Sequence, residues 1–269
     1  MNPEISLSPR ELLFIAALLE ATEFLGVSDA FFGMDDAEMH QETMALKSSL
    51  EVKDYAEMDF DGSFTLKENV RDAVDICANC DTLIMADKCK GGQLPLRDLY
   101  YAKNGKIVKL NQGADDTILS LIPGIDGLLE QILEDVKWQT SGPSMLKDAI
   151  IPNDVLSDVK AKAGDLDQST SIEVLIGSGC DELSAKAIIS GLRGKSDYFA
   201  VVITAFGSGR EGIYSLMLTS NESGIYRLAP IAGEEQDAVK FSMLAAGEVK
   251  IALADVMRSA FPPESEGFV

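Results

Sequence analysis

The four cysteines are the residues whose spacing comes nearest to that of a metal or redox site. Cys77 and Cys80 form a C-x-x-C pair, which is the spacing of a zinc knuckle or of a thioredoxin-like dithiol. Zinc would need two further ligands, and only Cys89 and Cys180 remain, while the sole histidine, His40, lies in a distant acidic segment. A redox pair should open a helix, where the helix dipole lowers a thiol pKa, but this pair lies at the end of one. The sequence therefore predicts no metal site and a core position for Cys77.

Two glycine-rich segments resemble the sequence patterns of phosphate-binding loops. Gly207–Gly212 follows a predicted strand, but phosphate binding needs a following helix whose amides point at the anion. The next residues, Ile213–Leu218, alternate and favour a strand, so the segment is predicted to be a hairpin turn. Gly177–Gly179 precedes a predicted helix but lacks a third glycine at the required spacing. No dinucleotide site and no other cofactor is predicted.

Catalytic arrangements have equally little support. A Ser–His–Asp or Cys–His site needs histidine as its base, and His40 lies on a predicted solvated helix beside Glu42. The carboxylate pair Asp35-Asp36 stands at a predicted helix start, where acidic groups stabilise the N-terminus. With 44 acidic residues in the chain, such pairs are weak evidence for acid–base chemistry. The chain is predicted to be a binding protein and not an enzyme.

The net charge indicates what kind of partner is bound. With 44 acidic and 23 basic residues the chain carries a formal charge of −21. Such a surface repels nucleic acid and anionic lipid, and no apolar run approaches the roughly 20 residues that cross a bilayer. We expect a cytoplasmic protein with no nucleic acid partner, no membrane insertion, and a basic or apolar protein partner. Solubility alone is the alternative explanation of the charge.

The elements expected to position these residues follow one order in the first half of the chain. Apolar residues at helical spacing, a buried β-rich run and an Asn-Gly turn succeed one another. The predicted elements are a helix over Leu66–Cys77 with a Thr65/Glu68 capping box, a strand over Thr82–Ala86, two strands within Leu99–Leu110 joined at Asn104-Gly105, and a closing helical region over Asp115–Lys137 broken at Pro123.

The second half repeats that order. Asn104 and Asn221 are 117 positions apart, and Leu110 and Leu228 are 118 apart, as expected for a duplicated unit. Chance repetition of the order is the alternative. The predicted elements are a helix through Leu183–Leu192, a strand over Tyr198–Phe206, two strands within Ile213–Leu228, and a closing helix marked by Val239, Leu244, Val249, Leu253 and Val256.

This order predicts an α+β fold, a quasi-two-fold duplicated unit with a central, largely antiparallel sheet flanked by helical bundles. The chain is expected to be a single domain, 1–269, made of two pseudo-repeats at approximately 1–138 and 145–262. A Pro/Gly-containing break at Trp138–Ser144 separates them. The first carries an additional acidic helical insertion around Asp35–Asp59.

Four segments give the chain a resemblance to a known family. Ile5–Leu13 resembles the opening strand and helix of the EspG proteins, the cytosolic chaperones of ESX (type VII) secretion. Ile151–Leu156 is similar to their strand-to-helix entry into the second half, Leu175–Leu192 to a short helix, and Ile225–Pro230 to the strand before the last helix. The similarity of layout spans roughly 4–261, as in a divergent EspG-like member from a Gram-positive bacterium. An Asp-Thr-Pro-x-Gly-Arg-Tyr-like strand of the mycobacterial members is not found.

The resemblance implies a chaperone that binds the apolar tip of a helical-hairpin substrate and keeps it soluble and export-competent. The substrates are PE/PPE pairs in mycobacteria, and here they could be LXG or WXG proteins. Masking an apolar tip with a complementary surface removes it from water and prevents self-association. The alternative is an acidic immunity protein that neutralises a basic toxin, which shares the charge argument but needs no internal duplication.

Partner binding is predicted at two hairpin loops in equivalent places of the two halves, Lys88–Arg97 and Gly207–Gly212. The first is unusually basic for this chain and carries two leucines around a proline, which would supply an apolar anchor with a polar rim. In the family, the substrate tip docks against the sheet and its hairpin loops. An ordinary solvent-exposed hairpin is the alternative. The predicted contact residues are Lys88, Lys90, Leu94, Leu96, Arg97 and Arg210.

Overall fold

The fold was analysed in a computed structural model, which describes residues 4–21, 24–90, 93–113, 115–135, 148–161, 168–193, 197–206, 211–221, 224–231 and 237–261. The first part of the chain contains helices, a small hairpin and a four-stranded meander. Its elements are β1 (Ile5–Leu7), α1 (Pro9–Leu18), α2 (Asp36–Val52), β2 (Ala56–Met58), β3 (Phe64–Leu66), α3 (Glu68–Ala78), β4 (Thr82–Cys89), β5 (Leu96–Lys103), β6 (Lys106–Gln112), β7 (Thr117–Ile122) and α4 (Gly124–Asp135).

The second part of the chain repeats this succession without the small hairpin. A short strand, helices and a second four-stranded meander lead to a final helix. Its elements are β8 (Ala149–Pro152), α5 (Asn153–Ala161), α6 (Gln168–Gly177), α7 (Glu182–Arg193), β9 (Asp197–Ala205), β10 (Gly212–Asn221), β11 (Gly224–Ile231), β12 (Ala238–Leu244) and α8 (Ala246–Ala260). Within the described ranges, no helix is long and apolar enough to cross a membrane.

Ten strands form one antiparallel sheet in the order β1-β7-β6-β5-β4-β9-β10-β11-β12-β8, and β2 and β3 form a separate hairpin. The two meanders meet where β4 pairs with β9, from Thr82 opposite Ala205 to Cys89 opposite Tyr198. Outward from this junction each half places its strands in the same succession, and each ends on its first short strand. The predicted α+β, quasi-two-fold fold with an antiparallel sheet is therefore confirmed. The residues proposed to separate the pseudo-repeats, 138–145, lie outside the described residues, so that division stays a prediction.

Helices cover both faces of the sheet. On one face, α4 and α8 pack together over the centre, where Leu128 and Met257 join a core with Tyr100 and Ile203. On the other face, α1 and α3 cover the strands of the first half, and α5, α6 and α7 pack over β8 and β12 of the second. Tyr101, adjacent in sequence to Tyr100, is buried in the opposite core, because successive strand residues point to opposite faces.

Local signals fixed several element boundaries. Asn104 and Gly105 have φ angles of 51° and 77° and join β5 to β6, as the type I′ turn predicted from this dipeptide requires. Ser8 caps α1 through a capping box with Glu11: the Glu11 amide donates to Ser8 Oγ at 3.2 Å, and the Ser8 amide donates to Glu11 Oε2 at 2.7 Å.

Three predicted boundaries were wrong. Residues 117–122 form strand β7 and not the start of a helix, because they pair with β6 on one side and β1 on the other. Val239 and Leu244 belong to strand β12, which pairs with β11 and β8, so the closing helix is only α8. Thr65 lies in β3, and α3 begins after Lys67, which makes no side-chain capping bond.

The acidic insertion is helical, as predicted, and continues into the β2–β3 hairpin. It is tied to the rest of the fold through Glu11 of α1, whose side chain is only 2% exposed. The Glu11 carboxylate accepts hydrogen bonds at 2.7 Å from Ser49 Oγ and from Lys53 Nζ, both in or just after α2. Burial acts to raise the pKa of Glu11, but these hydrogen bonds and that from Ser8 outweigh it and lower the pKa.

We expect Glu11→Gln to reduce the free energy of unfolding by about 2 kcal/mol at pH 7, because hydrogen bonds to a charged, buried group are lost. The folded-state pKa of Glu11 is lowered from its ordinary 4.5, so its stabilisation is complete above that pH and is lost as the pH falls through the folded pKa. Urea unfolding should therefore show a difference in the free energy of unfolding between the wild type and Glu11→Gln that is constant from pH 7 to 5. That difference should become smaller below pH 4.5.

Glu42→Gln is the matched control. It removes the pair between Arg10 and Glu42 (2.9 Å), which also joins α1 to α2 but is exposed, and should cost less than about 0.5 kcal/mol. An equal loss of the free energy of unfolding in the two variants would show that the burial of Glu11 does not increase its contribution to stability.

Candidate partner-binding site

The predicted site lies on the hairpin formed by β4 and β5, called here the β4–β5 hairpin (residues 88–97). The strands pair up to Lys88 opposite Leu96, and the Gln93 amide donates to the Lys90 carbonyl at 3.1 Å beyond that pair. Cys89 Sγ donates to the Gln93 carbonyl at 2.8 Å. Residues 91 and 92 lie outside the described residues. The two strands therefore hold the start and end of this connection in a fixed register.

Leucines at the end of the hairpin face solvent, as predicted. Leu94 is 90% exposed and Leu96 is 75% exposed. The next residues of β5, from Leu99 to Ala102, are all buried, so the strand passes from exposed to buried within a few residues. Exposed apolar side chains on a rigid two-stranded support are suited to insertion into an apolar partner surface.

The basic charge of the hairpin is largely neutralised within it. Arg97 forms a two-pronged ion pair with Asp87 directly across the ladder, with Nε–Oδ1 2.6 Å and Nη2–Oδ2 2.8 Å. This pairing raises the pKa of the Arg97 guanidinium. Lys88 pairs with Asp98, which also lies 3.4 Å from Lys109. Lys90 is exposed and has no ion pair among the described residues. The site is thus an apolar tip with mixed, compensated charge.

The neutralising carboxylates were missed in the sequence, although a signal for them exists. Asp87-Lys88 and Arg97-Asp98 carry opposite charges in reverse order on strands that must pair antiparallel. In the observed register Asp87 lies directly opposite Arg97, whereas Lys88 lies opposite Leu96 and reaches Asp98 diagonally. The sequence analysis considered the cations of the loop without the anions on its strands.

Arg210 lies outside the described residues, and the described residues Ala205 and Gly212 on either side of it pair with each other. Ala205 also pairs with Thr82, at the end of β4 away from Lys88. The eight residues of β4, about 24 Å of strand, separate these ends. The paired strand ends that flank residue 210 therefore lie at the opposite end of the sheet from Lys88.

The cysteine pair occupies the position predicted for it. Cys77 is in the last turn of α3 and is buried in the core, and Cys80 lies just after the helix. Burial raises the pKa of Cys77 well above its ordinary value and that of Cys80 to about 11. These shifts oppose thiolate formation, which redox and metal-binding cysteines need. Across the described part of the chain, no group of three or more His, Cys, Asp or Glu residues is placed to hold a metal ion.

The fold and the site together define an α+β protein with a ten-stranded antiparallel sheet and an apolar hairpin tip. A solved structure with this fold is that of the Mycobacterium tuberculosis type VII secretion system chaperone EspG5 in complex with the PE25-PPE41 dimer. The match has a TM-score of 0.64 and covers 98% of this chain and 99% of that chain, with 13% sequence identity. No protein-family model matches the chain, and neither does any curated protein sequence. The comparison shows a shared fold.

We expect thiol reactivity to follow burial. In the native protein at pH 8, Cys89 should react with iodoacetamide first, because it lies at the partly exposed hairpin. Cys77 should stay unmodified until the protein is unfolded, because its buried thiol is kept protonated. Peptide mass spectrometry of time points would give the order. The variant Cys89→Ser should lose the fast phase, and early labelling of Cys77 would contradict the assignment.

Proposed function

We propose that this protein is a non-enzymatic, cytosolic chaperone that binds a helical substrate of a type VII secretion system and keeps it soluble for export. The observation that carries the proposal is the fold shared along almost the whole chain with a type VII secretion chaperone that was solved in complex with a PE25-PPE41 dimer. Similarity over both full lengths favours a shared mode of action more than a shared sheet alone would.

The β4–β5 hairpin is the proposed contact surface. A helical hairpin that exposes apolar residues at its tip would self-associate in water, and covering that tip removes the apolar area from solvent. Leu94 and Leu96 supply apolar area, and the Arg97–Asp87 pair can exchange hydrogen bonds with polar groups at the rim without leaving a buried charge unpaired. The substrate is proposed to be an LXG, WXG or PE/PPE-like protein.

Electrostatics favours a substrate whose tip is not strongly acidic. The chain's charge of −21 repels other copies of itself and acidic proteins, which reduces self-association of a protein with exposed leucines. The same charge would suit an immunity protein acting on a basic toxin. The fold comparison gives that alternative no support, because the neighbour is a secretion chaperone.

Affinity capture from the native cell followed by mass spectrometry would test the class of partner. We expect helical secretion proteins to be recovered, and a captured protein should then stay soluble on co-expression with this chain and precipitate without it. If the captured protein is a toxin, binding of its isolated N-terminal helical part supports the chaperone. Binding of its isolated toxic part alone would instead support an immunity protein.

We expect the double variant Leu94→Asp/Leu96→Asp to weaken substrate binding at least a hundredfold in titration calorimetry, because two anchors of the interface become charged. The thermal midpoint should change by less than about 2 °C, since both side chains are mostly exposed in the free protein.

Leu183→Asp is the matched control. It introduces one aspartate, against two in the hairpin variant, at a leucine of α7 that is 60% exposed and far along the chain from the hairpin. We expect its affinity to stay within about threefold of the wild type. Unchanged substrate affinity of the hairpin variant would show that the β4–β5 hairpin is not the contact surface. The substrate would then have to bind to a different surface of the chaperone.

A further inference from the structure

A second surface of the protein combines exposed apolar groups with acidic charge. It lies at the end of α2 and on the β2–β3 hairpin, and we call residues 51–61 the arm end. Val52 is 88% exposed, Phe60 is fully exposed, and Met58 between them is partly exposed. Single exposed apolar residues are common on proteins, but three within one short segment concentrate exposed apolar area, as at interaction sites, and we call these three residues the patch.

Phe60 is held out in solvent by an ordered turn. The Asp59 amide donates to the Ser63 carbonyl at 2.9 Å, and the Gly62 amide donates to the Asp59 carbonyl at 2.9 Å. The Ser63 amide donates to Asp61 Oδ1 at 2.9 Å, and Gly62 takes the φ of 85° that this turn needs. The hairpin itself packs through Phe64 against Phe14 of α1, with ring centroids 6.1 Å apart. Phe60 is therefore a projecting side chain on a fixed base.

The charge around this patch is negative and little compensated. Glu51, Asp54, Glu57, Asp59 and Asp61 are all exposed. The nearby cations are already engaged, since Lys53 binds Glu11, and Lys67 binds Asp54 and lies 4.0 Å from Glu57. Hydrogen bonds from Ser63 lower the pKa of Asp61, which keeps it ionised. Nucleic acid and anionic membranes are repelled by such a surface, whereas a cationic protein segment is attracted.

We propose that the arm end is a docking surface for a cationic amphipathic helix of a partner protein. Leucine-like residues on one face of such a helix would cover Val52, Met58 and Phe60, and its flanking Lys or Arg residues would meet the carboxylates of the rim. This surface is separate from the β4–β5 hairpin and does not depend on the proposed chaperone function. It includes part of the β2–β3 hairpin, which has no counterpart in the described residues of the second half of the chain.

The test uses a defined probe, a fluorescein-labelled Leu/Lys amphipathic peptide of about 18 residues, and a Leu/Glu peptide of the same pattern. Fluorescence anisotropy with the full-length protein should show binding of the Leu/Lys peptide only. Phe60→Ser should weaken that binding about tenfold or more, because its apolar anchor is removed. Asp59→Asn/Asp61→Asn should weaken it and also reduce its dependence on salt, because the rim loses charge.

Phe32→Ser is the matched control. Phe32 is 89% exposed and lies just before the N-terminus of α2, whereas the arm end begins at the C-terminus of that helix. It should leave peptide affinity unchanged, as should Leu94→Asp/Leu96→Asp. In a Phe60→Trp/Trp138→Phe protein, tryptophan emission should shift to the blue on adding the unlabelled peptide, which reports contact at position 60 directly.

Two outcomes would overturn the proposal. Equal affinities of the Phe60→Ser and Phe32→Ser proteins would show that the acidic chain attracts the peptide without a specific site. Unshifted tryptophan emission of the Phe60→Trp/Trp138→Phe protein at saturating peptide would place the contact elsewhere. Neither result would bear on substrate binding at the β4–β5 hairpin, which is measured with a different partner and different variants.

Discussion

The antiparallel pairing of β4 with β9 is the interaction on which the rest of the structure depends. Each meander alone would leave one of these strands as a long apolar edge, with unpaired amides and carbonyls. The backbone amides and carbonyls of the two edges pair with each other from Thr82 opposite Ala205 to Cys89 opposite Tyr198. The edges of the complete sheet are then the short strands β1 and β8. The pairing also creates the central platform on which α4 and α8 meet, so the largest core contains side chains from both halves.

The two candidate surfaces differ in how the fold supports them. The β4–β5 hairpin continues the central strands, so its position is determined by the same ladder that closes the sheet. The arm end is attached to the edge of the sheet, where the Ser6 amide of β1 donates to the Tyr55 hydroxyl, and to α1, through the buried Glu11 carboxylate and the contact between Phe14 and Phe64. One surface therefore lies on the central strands themselves, and the other lies on a helix and hairpin that share the first-half core through Leu50 and Ala56.

The sequence predicted those features whose cause is local. Asn104-Gly105 defines its own turn through two positive φ angles, and the run Thr82–Ala86 is apolar enough to be a buried strand anywhere. The prediction from sequence was wrong where strand pairing determines the secondary structure. Residues 117–122 and 238–244 have apolar spacings that also fit a helix, and they are strands because they pair with neighbours in the sheet. For the candidate site, the exposed leucines were found, but the neutralisation of Arg97 by Asp87 depends on strand register. The arm end was missed because Phe60 is an ordinary aromatic in the sequence, and only the fold leaves it uncovered.

The same strand order runs outward from the β4–β9 junction in both directions, and this has a consequence for how the protein can change over evolutionary time. Equivalent hairpins end up at opposite ends of the sheet, too far apart for a substitution in one to strain the other, so their energetic effects should add independently. With the hairpins so far apart, one of them can acquire new side chains while the other keeps its own. Exposed Leu96 and exposed Ile213, each at the start of the second strand of its hairpin, are positions at which that divergence can proceed without disturbing the shared core.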